Sequence, residues 1–215
     1  MELYFSPLAC SMATRIALYE AGADADFHEI DPKIKRTRDG RDFHDVSPLG
    51  FVPVLRTDDG EILTENTAIL QYVAELFPDA ELVPTDPFAR SRLRQWLSFI
   101  TTEIHKVVFS PLFDKTASDE IKAYAREKVI ARLKILDQHL TGREFLLDRF
   151  TVADAYLVTI LNWTAVTQID LTTWPAVSAY AARLRARPSV ARAMSEESRL
   201  YAEERSRHEK AAKAG

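Results

Sequence analysis

A chain of 215 residues, with 47% hydrophobic and 28% charged side chains, has the composition of a globular protein and enough length to bury one large core or two smaller ones. Its net charge of −4 argues against nucleic acid or an anionic membrane as its main partner. Cys10 is the only cysteine, so an internal disulfide is excluded, which suits a reducing compartment. The sequence has no leader-like pattern and no apolar run near the roughly 18 residues of a membrane span, so we expect a cytoplasmic protein.

The first eighty or so residues alternate strand and helix patterns. Residues 2–5 are predicted to form a buried strand, and apolar side chains at helical spacing predict a helix over 11–21 that stops near Gly22. A second short strand is predicted over 27–30. The segment 32–45 is polar and basic, which indicates a loop or an irregular helix.

A hairpin and a helix are predicted to complete this first part of the chain. An Asp-Asp-Gly turn ending at Gly60 lies between two β-type runs, 52–56 and 61–64. Residues 67–77 then carry apolar side chains at helical spacing, and a proline ends that helix. The order of a parallel half, an antiparallel hairpin and packed helices predicts a thioredoxin-like domain over 1–80.

Only helices are predicted beyond this domain. After a linker rich in proline, Asp86-Pro87 begins a helix because proline is favoured at the first helical position. The sequence Thr-Val-Ala-Asp at 151–154 has the pattern of a capping box. We therefore predict an all-α domain over 87–200 and a charged tail over 201–215, which is either a solvated last helix or frayed. The predicted helices are 87–111, closed by Pro111, then 121–140, 155–166 and 175–187.

Cys10 stands where the first strand gives way to the first helix. The first turn of a helix presents unpaired N–H groups and a partial positive charge, which stabilise a thiolate relative to a thiol. A lone cysteine is more often a small apolar residue of the core. The rest of the chain has to decide between these two interpretations.

Six short motifs follow one another in order along the chain. They lie at 5–11, 47–53, 63–69, 103–106, 150–156 and 187–190. In order and spacing they resemble the motifs of the glutathione S-transferases, more narrowly of the bacterial beta class, over nearly the whole chain. The resemblance implies the two-domain glutathione transferase fold, with glutathione bound to the thioredoxin-like domain and a small electrophile in a cleft lined by the all-α domain. It also implies a homodimer.

The resemblance assigns the loop and helix start opposite the cysteine to glutathione. A cis peptide bond is expected before Pro53, which lets the backbone of Val52 pair with the cysteinyl part of the tripeptide. Backbone N–H groups at Glu65 and Asn66 are expected to hold the γ-glutamyl carboxylate, and the Glu65 carboxylate to meet its ammonium group.

A cation and a pair of catalytic side chains complete the implied site. Lys35, in the basic segment, is placed to reach the glycyl carboxylate. His105 is expected to face Cys10 across the domain cleft, where it donates a hydrogen bond to the sulfur or exchanges a proton with it. Cys10 and His105 are therefore the predicted catalytic residues.

The resemblance implies three further contacts, one of them at a position that departs from the class. Ala9 and Glu103 are carried over as glutathione contacts. Ser98 takes a position where beta-class chains often supply an asparagine to the neighbouring subunit. The hydroxyls of Tyr4 and Ser11 remain alternatives for a group that bonds the sulfur.

Plainer interpretations stand beside these assignments. Lys35 is also explained as a solvated surface charge, Glu65 as an acid at a helix start, and His105 as a histidine satisfied at an interface. The remaining histidines are scattered without metal-ligand spacing, so no metal is expected. These are His28, His44, His139 and His208.

The predicted function is glutathione transfer to electrophiles, with thiol–disulfide exchange through Cys10 as an added capacity. One alternative is a glutathione-dependent disulfide reductase or peroxidase of the same fold. Another is a non-enzymatic member of the fold that binds proteins, like the stringent starvation proteins. The joint presence of Cys10, Lys35, Glu65 and His105 argues against the last, because a scaffold has no need of a complete tripeptide site.

Overall fold

Five short strands form one mixed sheet in the first of two compact units of the chain. The computed structural model describes residues 1–214; the first unit comprises Met1–Ala80 and the chain from Pro188, and the second comprises Glu81–Arg187. The strand order is β3-β2-β1-β4-β5, with β1 and β2 parallel and the other neighbours antiparallel. The strands are β1 Glu2–Phe5, β2 Asp26–Asp31, β3 Arg36–Thr37, β4 Val54–Arg56 and β5 Ile62–Thr64.

The predicted thioredoxin-like layer is confirmed, with one addition in the polar segment 32–45. Arg36 and Thr37 form β3 by pairing with the end of β2, and a 3₁₀ turn follows at Phe43–Asp45. The sequence indicated a loop or irregular helix because a two-residue strand is too short to show an alternating pattern. Strand β3 forms because it pairs with β2, and not because of its own composition.

Helices make up the remainder of the regular structure. The α-helices are α1 Met12–Glu20, α2 Asn66–Leu76, α3 Pro87–Phe99, α4 Ser110–Phe113, α5 Asp119–Leu140, α6 Val152–Asn162, α7 Thr164–Thr167, α8 Pro175–Arg185 and α9 Pro188–Ala214. A π-helical segment, Ile100–Phe109, connects α3 to α4. No helix within residues 1–214 has both the length and the apolar character that a membrane span requires.

The charged end of the chain is a long helix that packs in the first unit. Helix α9 contacts α1 through a narrow buried face that includes Val190, Ala193 and Glu197. The sequence predicted a second domain reaching residue 200 and a tail over 201–215. The second compact unit instead ends at Arg187, and α9 runs unbroken to Ala214. Its composition is so polar that only the tertiary contact identifies the buried face.

A buried arginine joins α1 to α9. The Arg15 side chain is nearly inaccessible, and its guanidinium carbon lies 4.2 Å from the ring centroid of Phe5 and 4.0 Å from that of Phe27. Arg15 Nε lies 2.9 Å from a Glu197 carboxylate oxygen, and Nη1 donates to Glu196 at 3.1 Å. Burial raises the pKa of Glu197 to about 7 in spite of this cation. The aromatic faces and carboxylates together compensate for burying the charge.

The second unit contains only helices, as predicted. The Asp86 carboxylate caps α3 by accepting the Ala89 N–H at 2.8 Å. Pro111 does not end the helical stretch; it lies in the first turn of α4, where its missing N–H is not needed. The predicted helix 155–166 is divided between α6 and α7, and α6 is buried on every side from Val152 to Leu161.

Asp154 is the centre of a buried polar network at the start of α6. It is fully buried, and the predicted capping box is present. The N–H and hydroxyl of Thr151 both donate to Asp154 Oδ2 at 2.9 Å. The Leu146 N–H, at 2.9 Å, and the Tyr180 hydroxyl, at 2.8 Å, donate to Oδ1. Asp154 therefore joins the loop before α6, the helix itself and α8.

Candidate functional site

Cys10 lies beside the loop that contains the cis proline. It follows β1 and precedes Ser11, the N-cap residue of α1, and its side chain is partly exposed. The thiol donates a weak hydrogen bond to the carbonyl oxygen of Val52 at 3.4 Å. The Val52–Pro53 peptide bond is cis, as the sequence analysis expected. A partly exposed sulfur at a helix start therefore faces a backbone segment whose peptide groups can pair with an extended peptide.

The turn that carries Cys10 is held by buried polar contacts. The Ser11 hydroxyl lies 3.3 Å from both the N–H and the carbonyl oxygen of Ser6 and has no exposed surface. The N–H of Leu8 donates to the carboxylate of Glu197 at 2.7 Å. Because Leu8 has a positive φ of 60°, a conformation that is uncommon outside glycine, this contact helps to maintain the turn.

The two hydroxyls that the sequence left as alternatives for bonding the sulfur are engaged elsewhere. Ser11 closes the buried turn described above, and the Tyr4 hydroxyl donates to Glu2 at 2.8 Å. Within the described contacts, neither hydroxyl is directed to the sulfur of Cys10. Unpaired N–H groups in the first turn of a helix such as α1 are of the kind that stabilises a thiolate.

Asn66 ties the start of α2 to the cysteine loop. Its side-chain amide donates to the carbonyl oxygen of Cys10 at 3.1 Å and accepts from the Thr14 hydroxyl at 2.9 Å. The sequence analysis assigned Asn66 a role only through its backbone, so this bridge was missed. No spacing in the sequence predicts these contacts, because Cys10 and Thr14 are both distant from Asn66 along the chain.

Glu65 stands next to this bridge, at the N-cap of α2. Its side chain is exposed and makes no cap hydrogen bond, and its φ is 67°. A non-glycine residue in this region of φ is held there by its surroundings and is often found at binding sites. Together, the N-terminus of the eleven-residue helix α2 and the exposed Glu65 carboxylate are suited to a ligand with two charged groups. The helix N-terminus would bind its carboxylate, and Glu65 its ammonium group.

Lys35 is fixed close to the same loop. Its Nζ donates to the carbonyl oxygen of Gly50 at 2.9 Å and lies 5.4 Å from the ring centroid of Phe51. Gly50 has a φ of 63°, and a Cβ added there would lie only 3.0 Å from His44 Nε2. A side chain at position 50 would therefore disturb the segment whose Gly50 carbonyl holds the Lys35 ammonium.

His105 occupies a hydrophobic environment in the second unit. Its Nδ1 lies 2.7 Å from the hydroxyl of Tyr156, and its ring packs edge-on against Trp163 with 5.0 Å between centroids. Burial, with a smaller contribution from Lys106, lowers the pKa of His105 to about 4. The imidazole is therefore neutral at pH 7. When Nδ1 accepts from Tyr156, the proton lies on Nε2, which is then a donor.

The other two residues carried over from the resemblance have different surroundings. Glu103 Oε2 accepts from Arg132 Nη2 at 2.6 Å and from Nε at 3.1 Å. Ser98 is exposed on α3, and its carbonyl accepts from Thr102. Glutathione contacts of Glu103 and Ser98 stay predictions.

The neutral state of His105 leads to a testable dependence of stability on pH. Between pH 6.5 and about 4 the unfolded state binds a proton at this histidine that the folded state does not, so stability falls as the pH falls. Between pH 7.5 and pH 5, we expect the free energy of unfolding to fall by about 2 kcal/mol more in the wild type than in the His105→Gln variant. Urea unfolding at both pH values measures this, with the exposed His44→Gln variant as control. Equal losses in wild type and His105→Gln would contradict the assignment.

A sheet with a cysteine beside a cis proline, followed along the chain by a unit of helices only, is the architecture of a glutathione transferase. Sequence comparison agrees. Residues 9–76 match the family model of the glutathione S-transferase N-terminal domain, and residues 100–188 match that of the C-terminal domain. Glutathione S-transferase GstA of Escherichia coli O157:H7 is 38% identical over 92% of this chain and 98% of its own.

Solved structures show the same relationship. A sphingomonad glutathione S-transferase complexed with glutathione is 44% identical, with a TM-score of 0.88 over 92% of this chain and 99% of its own. A bacterial beta-class glutathione S-transferase from Sphingomonas chungbukensis is also 44% identical and has a TM-score of 0.88. The match covers 92% of this chain and 98% of the Sphingomonas chain. The chain belongs to the glutathione S-transferase family, and its predicted resemblance to the bacterial beta class is confirmed.

Proposed function

We propose that this chain binds glutathione at the Cys10 and Val52–Pro53 loops and joins it through its thiol sulfur to small electrophiles. In the conjugation, the thiolate of glutathione forms a bond to an electrophilic carbon, and the leaving group departs with the electron pair of the bond that breaks. The observation that carries the proposal is the 3.4 Å contact between Cys10 Sγ and the Val52 carbonyl oxygen, next to the cis peptide bond. That carbonyl and its neighbours are the groups that an extended cysteinyl residue would pair with.

The charges of glutathione agree with the groups around this contact. The tripeptide carries two carboxylates and one ammonium group. We assign the γ-glutamyl end to the start of α2, with its ammonium on the exposed Glu65 carboxylate and its carboxylate on N–H groups at Asn66. We assign the glycyl carboxylate to Lys35, whose ammonium is held at Gly50. Ala9 lies within the cysteine turn and would contact the ligand backbone.

Cys10 supplies a second reaction in this proposal. Its thiolate attacks a mixed disulfide of glutathione, forming a Cys10–glutathione disulfide and releasing the other sulfur as a thiolate. A glutathione thiolate then attacks this disulfide, which releases oxidised glutathione and restores Cys10. His105, neutral and able to donate from Nε2, is assigned to hydrogen bond the sulfur during both reactions. Glu103 and Ser98 are assigned supporting contacts with glutathione.

The family and the composition support a proposal for the assembly and the location. We propose a homodimer, with the exposed Ser98 available to a neighbouring subunit, acting in the cytoplasm. The single cysteine suits that reducing compartment because it needs no disulfide for folding. The glutathione held by the sphingomonad relative supports the same ligand for this chain.

Calorimetric titration with glutathione tests the assignment of the binding site. We expect Glu65→Ala to lose roughly 1.5–3 kcal/mol of binding free energy, because a charged hydrogen bond to the ligand ammonium disappears. Lys35→Ala should also weaken binding. Glu61→Ala is the matched control, since it removes an exposed carboxylate from the preceding strand region. Unchanged affinity in Glu65→Ala would refute that contact, and unchanged affinity in both variants would refute the site.

A further inference from the structure

Three metal-ligand side chains meet in the first unit, outside the proposed glutathione site. Asp31 ends β2, and Glu204 and His208 are one helical turn apart on α9. One ligand atom from each lies within 4.8 Å of the other two. His208 Nε2 lies 2.5 Å from Asp31 Oδ2, and Glu204 Oε1 lies 4.0 Å from His208 Nδ1. The sequence shows no metal-ligand spacing for His208, because Asp31 is far away along the chain.

The carboxylate of Glu204 indicates that this cluster is incomplete. Glu204 is 5% exposed, and its Oε2 accepts no hydrogen bond from any residue that the structure describes. Such a buried oxygen is energetically costly unless a donor or a cation satisfies it. A small cation seated between the carboxylates of Asp31 and Glu204 would balance their negative charges and satisfy Oε2.

The cations already nearby do not perform this role. Arg207 donates to Glu29 and is only a longer-range charge for Glu204. Arg38 is likewise committed to Glu29 and Glu203. Lys33 Nζ lies 2.9 Å from His208 Nδ1, but this lysine is exposed and contacts the ring instead of the buried oxygen. Lys33 is therefore the group that a bound metal ion would displace or repel.

We propose that Asp31, Glu204 and His208 bind one divalent transition-metal ion of the zinc type. Zinc accepts carboxylate oxygen and imidazole nitrogen at about 2.0–2.2 Å, and the tetrahedral arrangement is completed by water. The ion takes the place of the hydrogen bond between Asp31 Oδ2 and His208 Nε2. An imidazole ligand disfavours Mg²⁺ and Ca²⁺, which select oxygen donors. The bound ion would fasten α9 to the end of β2, in contrast to the expectation from the sequence that no metal is present.

Titration calorimetry with Zn²⁺ tests this site in chelator-treated full-length protein whose Cys10 has been alkylated, so that no thiolate competes. We expect one Zn²⁺ per chain. Glu204→Gln and His208→Ala should each lower the affinity at least tenfold, whereas Lys33→Ala should raise it because a competing cation is removed. His44→Ala is the matched control: His44 and Asp42 form an exposed pair that no third ligand joins within the described part of the chain, so binding should be unchanged. Mg²⁺ should bind far more weakly than Zn²⁺.

Two further readouts separate metal coordination from damage to the fold. Co²⁺ in the wild-type protein should give the intense visible absorption of a tetrahedral site, and Glu204→Gln should lose it. Zn²⁺ should raise the melting temperature of the wild type and not that of Glu204→Gln, since a ligand that binds only the folded state stabilises it. Absence of stoichiometric Zn²⁺ binding by the wild type, equal affinity in Glu204→Gln, or no gain of affinity in Lys33→Ala would overturn the proposal.

Discussion

The Cys10→Ala variant should lose glutathione-dependent disulfide reduction completely while keeping part of the conjugation activity. Disulfide reduction needs a protein sulfur to form the mixed disulfide, so its removal leaves no route. Conjugation uses the sulfur of glutathione, and the proposed mechanism assigns the stabilisation of that sulfur to groups other than Cys10. We expect conjugation to fall by less than the roughly 10²–10⁴-fold that loss of a positioned proton-transfer group causes. Steady-state assays with a mixed disulfide and with an aromatic halide measure the two activities.

Two companion measurements make this prediction selective. His105→Ala should impair both reactions, because the proposed mechanism assigns the same imidazole to both sulfurs. The rate of Cys10 alkylation by iodoacetamide, followed as a function of pH, should have its midpoint below the usual thiol pKa of about 8.5. Full disulfide reductase activity in Cys10→Ala would remove the nucleophile from the mechanism. A midpoint near that of a free thiol would leave Cys10 as a packing residue.

Replacing Asp154 by alanine should produce the largest loss of stability among the substitutions considered. A helix cap alone accounts for about 0.5–2 kcal/mol. Asp154 also accepts hydrogen bonds from Leu146 and Tyr180 in a fully buried position. Its removal leaves these donors unpaired in the interior, so we expect a loss of about 3–5 kcal/mol in the free energy of unfolding. Chemical denaturation measures this value.

The control for this experiment is an aspartate that caps a turn at the surface. Asp170 accepts from the N–H and the hydroxyl of Thr172 in an exposed position, so Asp170→Ala should lose only about 1 kcal/mol. Glutathione affinity should be unchanged in Asp154→Ala protein that remains folded, because Asp154 is structural. An unfolding free energy like that of the control would contradict the buried network. Normal stability combined with lost binding would assign Asp154 to the site instead.

Local patterns in the sequence determined a large part of this protein. Alternation and helical spacing predicted the strand and helix order, because a buried face repeats every second residue in a strand and every three to four in a helix. Cap chemistry predicted the start of α3 at Asp86-Pro87 and the box at Thr151, because those contacts join residues only three positions apart. The place of Cys10 before α1 followed from the local strand and helix patterns, and the cis bond before Pro53 from the resemblance to the glutathione S-transferases.

Only the tertiary structure decided which distant residues meet. The Asn66 bridge to Cys10, the Glu197 contact with Leu8 and the Asp31 cluster each join parts of the chain that no periodicity relates. The same holds for α9, whose polar composition conceals the buried face that packs on α1. These contacts form only when the sheet and helices pack, because packing is what brings the distant side chains together. Composition and spacing are properties of neighbours in sequence, so they carry no direct signal for such pairs.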